Sequence, residues 1–162
     1  MSILIVYDSL YSNTEKVAQT IGAVLRNHED VITLRVSEVK PEQFSGLKLL
    51  IVGSPTQRFK PTIAISNMLA GIPRNGLKGI RVAAFDTRLT QVEISKTPVL
   101  AFFVKLLGNV YAAKSIADRV KEKGGELVVP PEGFYVDGME GPLSQGELER
   151  AAGWAGQILA SM

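Results

Sequence analysis

Two short runs of the chain are apolar at every position, ILIV from Ile3 to Val6 and LLIV from Leu49 to Val52. A strand with one face in solvent alternates apolar and polar residues, so runs without alternation indicate strands covered on both faces. Such strands occur mainly in parallel sheets, because the crossover helices of a parallel sheet pack on both of its faces. The two runs therefore predict an α/β fold with a central parallel sheet.

Strand-like and helix-like segments alternate along the whole chain. The predicted strands are residues 3–7, 31–36, 49–53, 80–85 and 126–129. Apolar residues at helical spacing lie between them, and the last helix is predicted to begin near Ser144 and Glu147, which have the spacing of a capping box. This alternation predicts a doubly wound parallel sheet in a single domain over residues 1–162.

Composition excludes several kinds of site. The chain has no cysteine and one histidine, His28, which excludes disulfides, thiolate nucleophiles and cysteine-ligated metals and argues against a histidine-based metal site. Its net charge of +2 is too small to imply nucleic-acid binding by itself. No basic-then-apolar leader opens the sequence and its longest apolar stretch is interrupted, so we expect a cytoplasmic protein without a membrane span.

The loop after the first predicted strand is rich in hydroxyl groups. It reads DSLYSNT and leads directly into a predicted helix. Ligands of doubly wound sheets bind beyond the carboxyl ends of the strands, and N–H groups at a helix N-terminus attract phosphate. The loop is therefore either an anion-binding cup or an ordinary helix cap, since Ser12 and Glu15 also have capping-box spacing.

Two motifs together resemble the flavodoxin family: SLYSNTEKVA directly after one buried strand, and IVGSPT at the end of another. The resemblance extends over the whole chain, including the passages VKPEQFSGLKLLIVGSPT and GELVVPPEGFYVDGMEGPL. It implies a flavodoxin-like three-layer sandwich with a five-stranded parallel sheet in the order 2-1-3-4-5, and a site for FMN.

The function that this resemblance implies is electron transfer by non-covalently bound FMN. An FMN-dependent reductase of quinones or other small acceptors is the alternative, and a binding or regulatory module with an empty site is the third hypothesis. The resemblance implies no catalytic side chain and no metal ligand, because the flavin itself carries the redox chemistry.

Carried over residue by residue, the resemblance implies three cofactor-binding segments. The phosphate loop comprises Ser9, Leu10, Tyr11, Ser12, Asn13 and Thr14; the first loop flanking the isoalloxazine comprises Ser54, Pro55, Thr56, Gln57, Arg58 and Phe59; the second begins at Asp86, Thr87 and Arg88.

The sequence departs from the family pattern in these loops. Ser12 stands where the family usually has glycine, so a positive φ there would cost about 1 kcal/mol. The second flanking loop lacks the common stacking tyrosine and offers only Leu89 as an apolar cover. Phe59 is the candidate stacking ring of the first flanking loop, with core packing as the alternative. Losing one aromatic stack would weaken flavin binding by about 0.5–1.5 kcal/mol.

Basic residues outnumber acids between the two flanking loops. The cations are Arg58, Lys60, Arg74, Lys78, Arg81 and Arg88, against the single acid Asp86. One interpretation is a solvated surface. In the second interpretation, Arg58 and Arg88 lie near the ring and favour the anionic reduced flavin. The basic residues would then also form a rim that attracts an acidic redox partner.

The segment from Pro98 to Leu107 is apolar on nearly every side of a predicted helix. Such a helix is either buried or covered by a partner. We predict a contact next to the cofactor, with a second copy of the chain in a homodimer or with a redox partner; simple burial and a membrane-surface contact are the alternatives.

Overall fold

The computed structural model describes residues 2–99, 101–102 and 111–162. Its strands are β1 (Ile3–Tyr7), β2 (Val31–Arg35), β3 (Leu49–Pro55), β4 (Arg81–Leu89), β5 (Glu126–Leu127) and β6 (Glu132–Val136). They form one parallel sheet in the order β2-β1-β3-β4-β5, in which β6 also pairs with β4. The predicted flavodoxin-like sheet order is confirmed.

Helices cover both faces of this sheet. They are α1 (Asn13–Leu25), α2 (Ile63–Gly71), α3 (Gln91–Ser95), α4 (Ala112–Glu122) and α5 (Glu147–Ala160). Two 3₁₀ turns, Val36–Glu38 and Pro41–Phe44, connect β2 to β3. Within the described ranges, no helix has both the length and the apolar character needed to cross a membrane.

The apolar runs divide their side chains between two cores. Ile3 and Ile5 pack with α1 and α5 on one face, whereas Leu4 and Val6 pack with α2 and α4 on the other. Successive residues of a strand point to opposite faces, so a strand buried on both sides has to be apolar throughout. This is why the runs lack polar alternation.

The fifth position of the sheet is shared by two short strands, which the sequence reasoning did not anticipate. β5 pairs with the first residues of β4, and β6 pairs with its last five. The predicted strand 126–129 is therefore shorter than expected. Pro130 and Pro131 lie between the two strands, and proline has no N–H to donate to a sheet ladder, so the pairing is interrupted there.

The capping box predicted for the last helix is wrong. Gly146 occupies the N-cap position of α5 with φ 85°. The Ser144 hydroxyl donates instead to the Asp137 carboxylate (2.6 Å), and the Glu147 carboxylate accepts the backbone N–H of Tyr135 (2.8 Å). Both side chains therefore tie the helix start to the β6 region rather than cap the helix.

Most of the apolar segment from Pro98 to Leu107 lies outside the described residues. Of its large apolar side chains, Val99 and Phe102 are described, and they are 64% and 62% exposed. The homodimer or partner contact through this segment stays a prediction.

Candidate cofactor site

A pocket of about 90 Å³ opens at the carboxyl ends of β1, β3 and β4. Its lining comes from four segments of the chain and consists of Ser9, Leu10, Tyr11, Asn13, Thr14, Pro55, Thr56, Thr87, Arg88, Leu89, Val136 and Met139. β1 and β3 are neighbours in the sheet, although β2 separates them in sequence. The pocket therefore lies at the point where strand order reverses, which is where ligands of such sheets bind.

The first loop ends in the N-terminus of α1, whose first-turn N–H groups have no acceptor within the helix. Ser9 and Thr14 are both buried, at 8% and 1% exposure. The Ser9 hydroxyl accepts the backbone N–H of Glu15 (3.3 Å), and the Thr14 hydroxyl lies 2.8 Å from that of Thr87 on β4. Polar side chains and a helix N-terminus thus line the pocket from one side.

Ser12 has the backbone conformation that glycine adopts at little cost, with φ 69° and ψ 0°. Although it is the N-cap residue of α1, its side chain makes no capping bond. The alternative of a Ser12–Glu15 capping box is therefore wrong, because the hydroxyl that accepts the Glu15 N–H belongs to Ser9. The left-handed region costs a residue with a Cβ about 1 kcal/mol.

Replacing Ser12 with glycine is expected to raise the free energy of unfolding by about 0.5–1 kcal/mol, because it removes this strain. Urea denaturation would measure the change. Ser115→Gly, within α4, is the matched control and should lower stability by about 0.5–1 kcal/mol, since its backbone is helical. Equal losses in both variants would contradict the strain at Ser12.

Arg35 holds the first loop from outside the pocket. Its guanidinium donates to the Ser9 carbonyl (2.8 Å) and the Glu15 carboxylate (3.0 Å), and it lies over the Tyr7 ring at 5.4 Å from the centroid. The sequence reasoning missed this residue. It could have been recognised from its position at the end of β2, because the parallel pairing of β1 and β2 brings Arg35 beside Tyr7 at the end of β1.

The first flanking loop divides into a part at the pocket and a part away from it. Pro55 and Thr56 line the pocket, and the Thr56 N–H donates to the Thr87 carbonyl (2.9 Å). Ser54 is fully buried, and its hydroxyl accepts the N–H of Thr62 just before α2 (3.0 Å). Ser54 therefore shapes the loop rather than lining the pocket.

The rest of that loop is a tight turn. Gln57 and Lys60 exchange both backbone hydrogen bonds (2.8 and 2.9 Å), and Arg58 and Phe59 between them have φ 48° and 68°. Two positive φ angles make this a type I′ turn, which normally carries asparagine or glycine. Neither Gln57, Arg58 nor Phe59 lines the pocket, and Phe59 is half-buried rather than part of the core. Strain of this kind often occurs at functional sites.

Asp86, Thr87 and Arg88 were predicted to begin the second flanking loop, but they lie within β4. Thr87 and Arg88 line the pocket, whereas Asp86 does not. Asp86 is fully buried, and Arg88 donates to its two carboxylate oxygens from Nε and Nη2, both at 2.7 Å. Burial raises the pKa of the Asp86 carboxyl group, and the bonds from Arg88 act in the opposite direction. The positive charge of Arg88 is therefore compensated within the protein.

The predicted excess of positive charge does not gather at the pocket. Arg81 is the first residue of β4, and Arg74 and Lys78 lie between the end of α2 and that residue, at the opposite end of the sheet. Arg88 is paired with Asp86. Of the six cations, only Arg58 and Lys60 are exposed on a loop at the pocket's end of the sheet.

The loop between β6 and α5 completes the pocket, and the sequence reasoning did not assign it. Val136 and Met139 contribute to the lining, and the Asn13 amide donates to the Glu140 carbonyl (3.2 Å). Gly141 has φ 99°, and a Cβ on it would lie 2.7 Å from the Asn13 side chain. Glycine at this position allows the loop to pack against the start of α1.

The described part of the chain contains no cluster of three or more histidine, aspartate or glutamate side chains placed to hold a metal ion. Each of its buried side-chain nitrogen and oxygen atoms has a hydrogen-bond partner.

Comparison with known proteins identifies the family. The flavodoxin family model matches residues 5–154, whereas no curated protein sequence matches significantly. Flavodoxin 2 from Bacillus cereus has a TM-score of 0.77 at 20% identity, with 100% of both chains covered. A flavodoxin from Fusobacterium nucleatum, solved with bound flavin mononucleotide, has a TM-score of 0.69 at 21% identity, with 99% of this chain and 98% of that chain covered.

A larger protein contains the same fold. Rubredoxin oxygen:oxidoreductase from Desulfovibrio gigas matches with a TM-score of 0.72 at 20% identity, over 99% of this chain but 35% of its own. At such identities the solved structures establish the shared fold. Since the family model also matches most of the sequence, the chain belongs to the flavodoxin family.

Proposed function

We propose that this chain binds FMN non-covalently in the pocket and exchanges electrons with a partner protein. The observation that carries the proposal is the convergence of the hydroxyl-rich loop, the N-terminus of α1 and both flanking loops on one pocket. Membership in the flavodoxin family and the FMN bound by the Fusobacterium neighbour support FMN as the cofactor.

The donor set fits a phosphate group. The hydroxyls of Ser9 and Thr14 and the side-chain amide of Asn13 lie at the pocket, and Asn13 and Thr14 are the first two residues of α1. These groups would hold phosphate oxygens without a lysine or arginine, because the helix N-terminus carries a partial positive charge. Pro55, Thr56, Arg88 and Leu89 would then flank the ring.

Bound FMN would supply the redox chemistry, and the protein would supply orientation and electrostatics. The Thr14–Thr87 contact ties the phosphate loop to β4, and the Thr56–Thr87 backbone bond ties the two flanking loops together. These bonds would hold the three segments in a fixed relation to the ligand.

Replacing Ser9 and Thr14 together with alanine is expected to weaken FMN binding by about 1–3 kcal/mol, or about 5- to 150-fold, through lost hydrogen bonds to phosphate. Fluorescence titration of FMN would measure the affinity. Thr20→Ala is the matched control, because the Thr20 hydroxyl is exposed on α1 and donates to the Lys16 carbonyl of the same helix. Unchanged FMN affinity in the double variant would mean that the phosphate group binds elsewhere.

An FMN-dependent reductase of quinones or other small acceptors is a second candidate. Of the pocket residues at the end of β4, Leu89 is the apolar one and none is aromatic, which would leave one ring face open to a small acceptor. Turnover with a nicotinamide donor and a quinone would support this candidate. Reduction of a partner protein without such turnover would support the electron carrier.

The rim of the pocket suits a protein partner. Exposed apolar side chains follow the carboxyl ends of several strands, namely Leu10, Tyr11, Ile63, Val92 and Met139. Arg58 and Lys60 are exposed at the same end of the sheet, which would favour an acidic partner. We also retain the proposal of a homodimer through the segment from Pro98 to Leu107, for which light scattering is the test.

A further inference from the structure

The Asp86–Arg88 pair forms part of the wall of the proposed FMN site. The two residues are two positions apart on β4, so their side chains lie on the same side of the strand. Nε and Nη2 of Arg88 each lie 2.7 Å from a carboxylate oxygen of Asp86. Asp86 is fully buried, whereas the Arg88 side chain is 16% exposed and lines the pocket.

Neighbouring residues fix the Arg88 guanidinium in place. Gly133 on β6 pairs with Asp86, and a Cβ on Gly133 would overlap the guanidinium. The guanidinium also lies over the Tyr111 ring, with Cζ 3.7 Å from the ring centroid. The Asp86 carboxylate, the space above Gly133 and the Tyr111 ring therefore hold the Arg88 side chain in one position.

The buried carboxylate has a third donor. The backbone N–H of Ala113, in the first turn of α4, lies 2.9 Å from Oδ2 of Asp86. The preceding N–H, of Ala112, donates to the Thr56 hydroxyl at the pocket (3.2 Å). These donors and the helix N-terminus stabilise a charged carboxylate that burial alone would disfavour.

We propose that Asp86 is a positioning residue that neutralises Arg88, so that the FMN site is flanked by a rigid guanidinium with little net charge. This inference rests on the proposed function. An unpaired guanidinium at the pocket would stabilise a negative charge on reduced FMN and raise its midpoint potential. When paired with a carboxylate 2.7 Å away, it acts as a dipole, whose field decreases faster with distance.

The test is a double-mutant cycle on the FMN-loaded protein. Asp86→Asn keeps the shape and exposes the cation, so reduced FMN should gain about ten-fold in affinity relative to oxidised FMN. That gain equals an upward shift of about 30 mV for a two-electron couple. Asp86→Asn combined with Arg88→Gln removes both charges and should return the potential to the wild-type value. Redox titration measures the potential.

Glu93→Gln is the matched control, because it leaves the Lys96 cation unpaired just after α3, outside the pocket lining, and should shift the potential much less. Should Asp86→Asn fail to fold, Asp86→Thr removes the same charge with the same expected shift. The double variant also tests compensation separately. A loss of about ten-fold in affinity for reduced relative to oxidised FMN in this variant would mean that Arg88 acts as an uncompensated cation in the wild type, and would overturn the inference.

A second readout does not depend on bound flavin. In the flavin-free protein, Arg88→Gln should lower the melting temperature more than the double variant does, because it alone leaves Asp86 buried without its partner. If FMN binds but Asp86→Asn leaves the potential unchanged, the inference is wrong and the proposed function stands. If the wild type binds no FMN, the proposed function itself fails.

Discussion

Replacing Phe85 with alanine is expected to lower the free energy of unfolding by about 3–5 kcal/mol. The Phe85 side chain is fully buried in the middle of β4. Its ring meets those of Phe134 and Trp154 edge-on, with centroid separations of 6.1 and 6.0 Å. It also covers Gly53 on β3, where a Cβ would overlap the ring. Alanine would leave a cavity between sheet and α5 that these large neighbours cannot fill.

Urea denaturation of the variant would measure this loss. Leu148→Ala is the matched control, because Leu148 is a large apolar residue of α5 that is 38% exposed, and its loss should change stability by less than about 0.5 kcal/mol. A Phe85→Ala cost below about 1 kcal/mol would show that the core collapses into the space. Since Gly53 leads directly into Ser54 and Pro55, such collapse should also alter the first flanking loop.

The fold could be predicted where a pattern is repeated over a whole element. The ILIV and LLIV runs are buried on both faces as expected. β6 was missed because its sequence, EGFYV, contains glycine and follows two prolines, which weaken any strand pattern.

The predictions made from capping motifs were wrong for a different reason. Ser144 has the right spacing, but its hydroxyl bonds Asp137, a contact that spacing within one helix cannot reveal.

The site could be predicted best in the first loop. Ser9, Leu10, Tyr11, Asn13 and Thr14 all line the pocket, because a loop between a central strand and its helix has little freedom in direction. The first flanking loop was harder to predict. Its type I′ turn carries Arg58 and Phe59 away from the pocket, and neither residue type signals a positive φ.

Counting charges along the sequence was misleading for a geometric reason. A helix that follows a parallel strand runs back to the other end of the sheet, so the residues after α2 lie far from the loop before it. Arg74, Lys78 and Arg81 therefore belong to the opposite end, although they lie between the two flanking loops in sequence. The pairing of Arg88 with Asp86 was equally hidden, because it depends on the space above Gly133.

Replacing Gly133 with alanine is expected to lower the free energy of unfolding by about 3–5 kcal/mol. The added Cβ would overlap the Arg88 guanidinium. Such an overlap costs little when a long side chain can move aside, but Arg88 is held by two bonds to Asp86 and by the Tyr111 ring. Moving the guanidinium would leave the fully buried Asp86 carboxylate without its positively charged partner. An uncompensated buried charge carries a penalty of this size.

Gly156→Ala is the matched control, because Gly156 lies within α5 and a Cβ there would have open space beyond the backbone of its own helix. Alanine favours helix over glycine, so this control should gain about 0.5–1 kcal/mol, opposite in sign to Gly133→Ala. Thermal or urea unfolding of both flavin-free variants gives the comparison. Adding Asp86→Asn to Gly133→Ala should recover part of the loss, because the neutral amide no longer needs the guanidinium. If Gly133→Ala is as stable as the wild type, Arg88 can leave Asp86 freely and the pair does not fix the wall of the pocket.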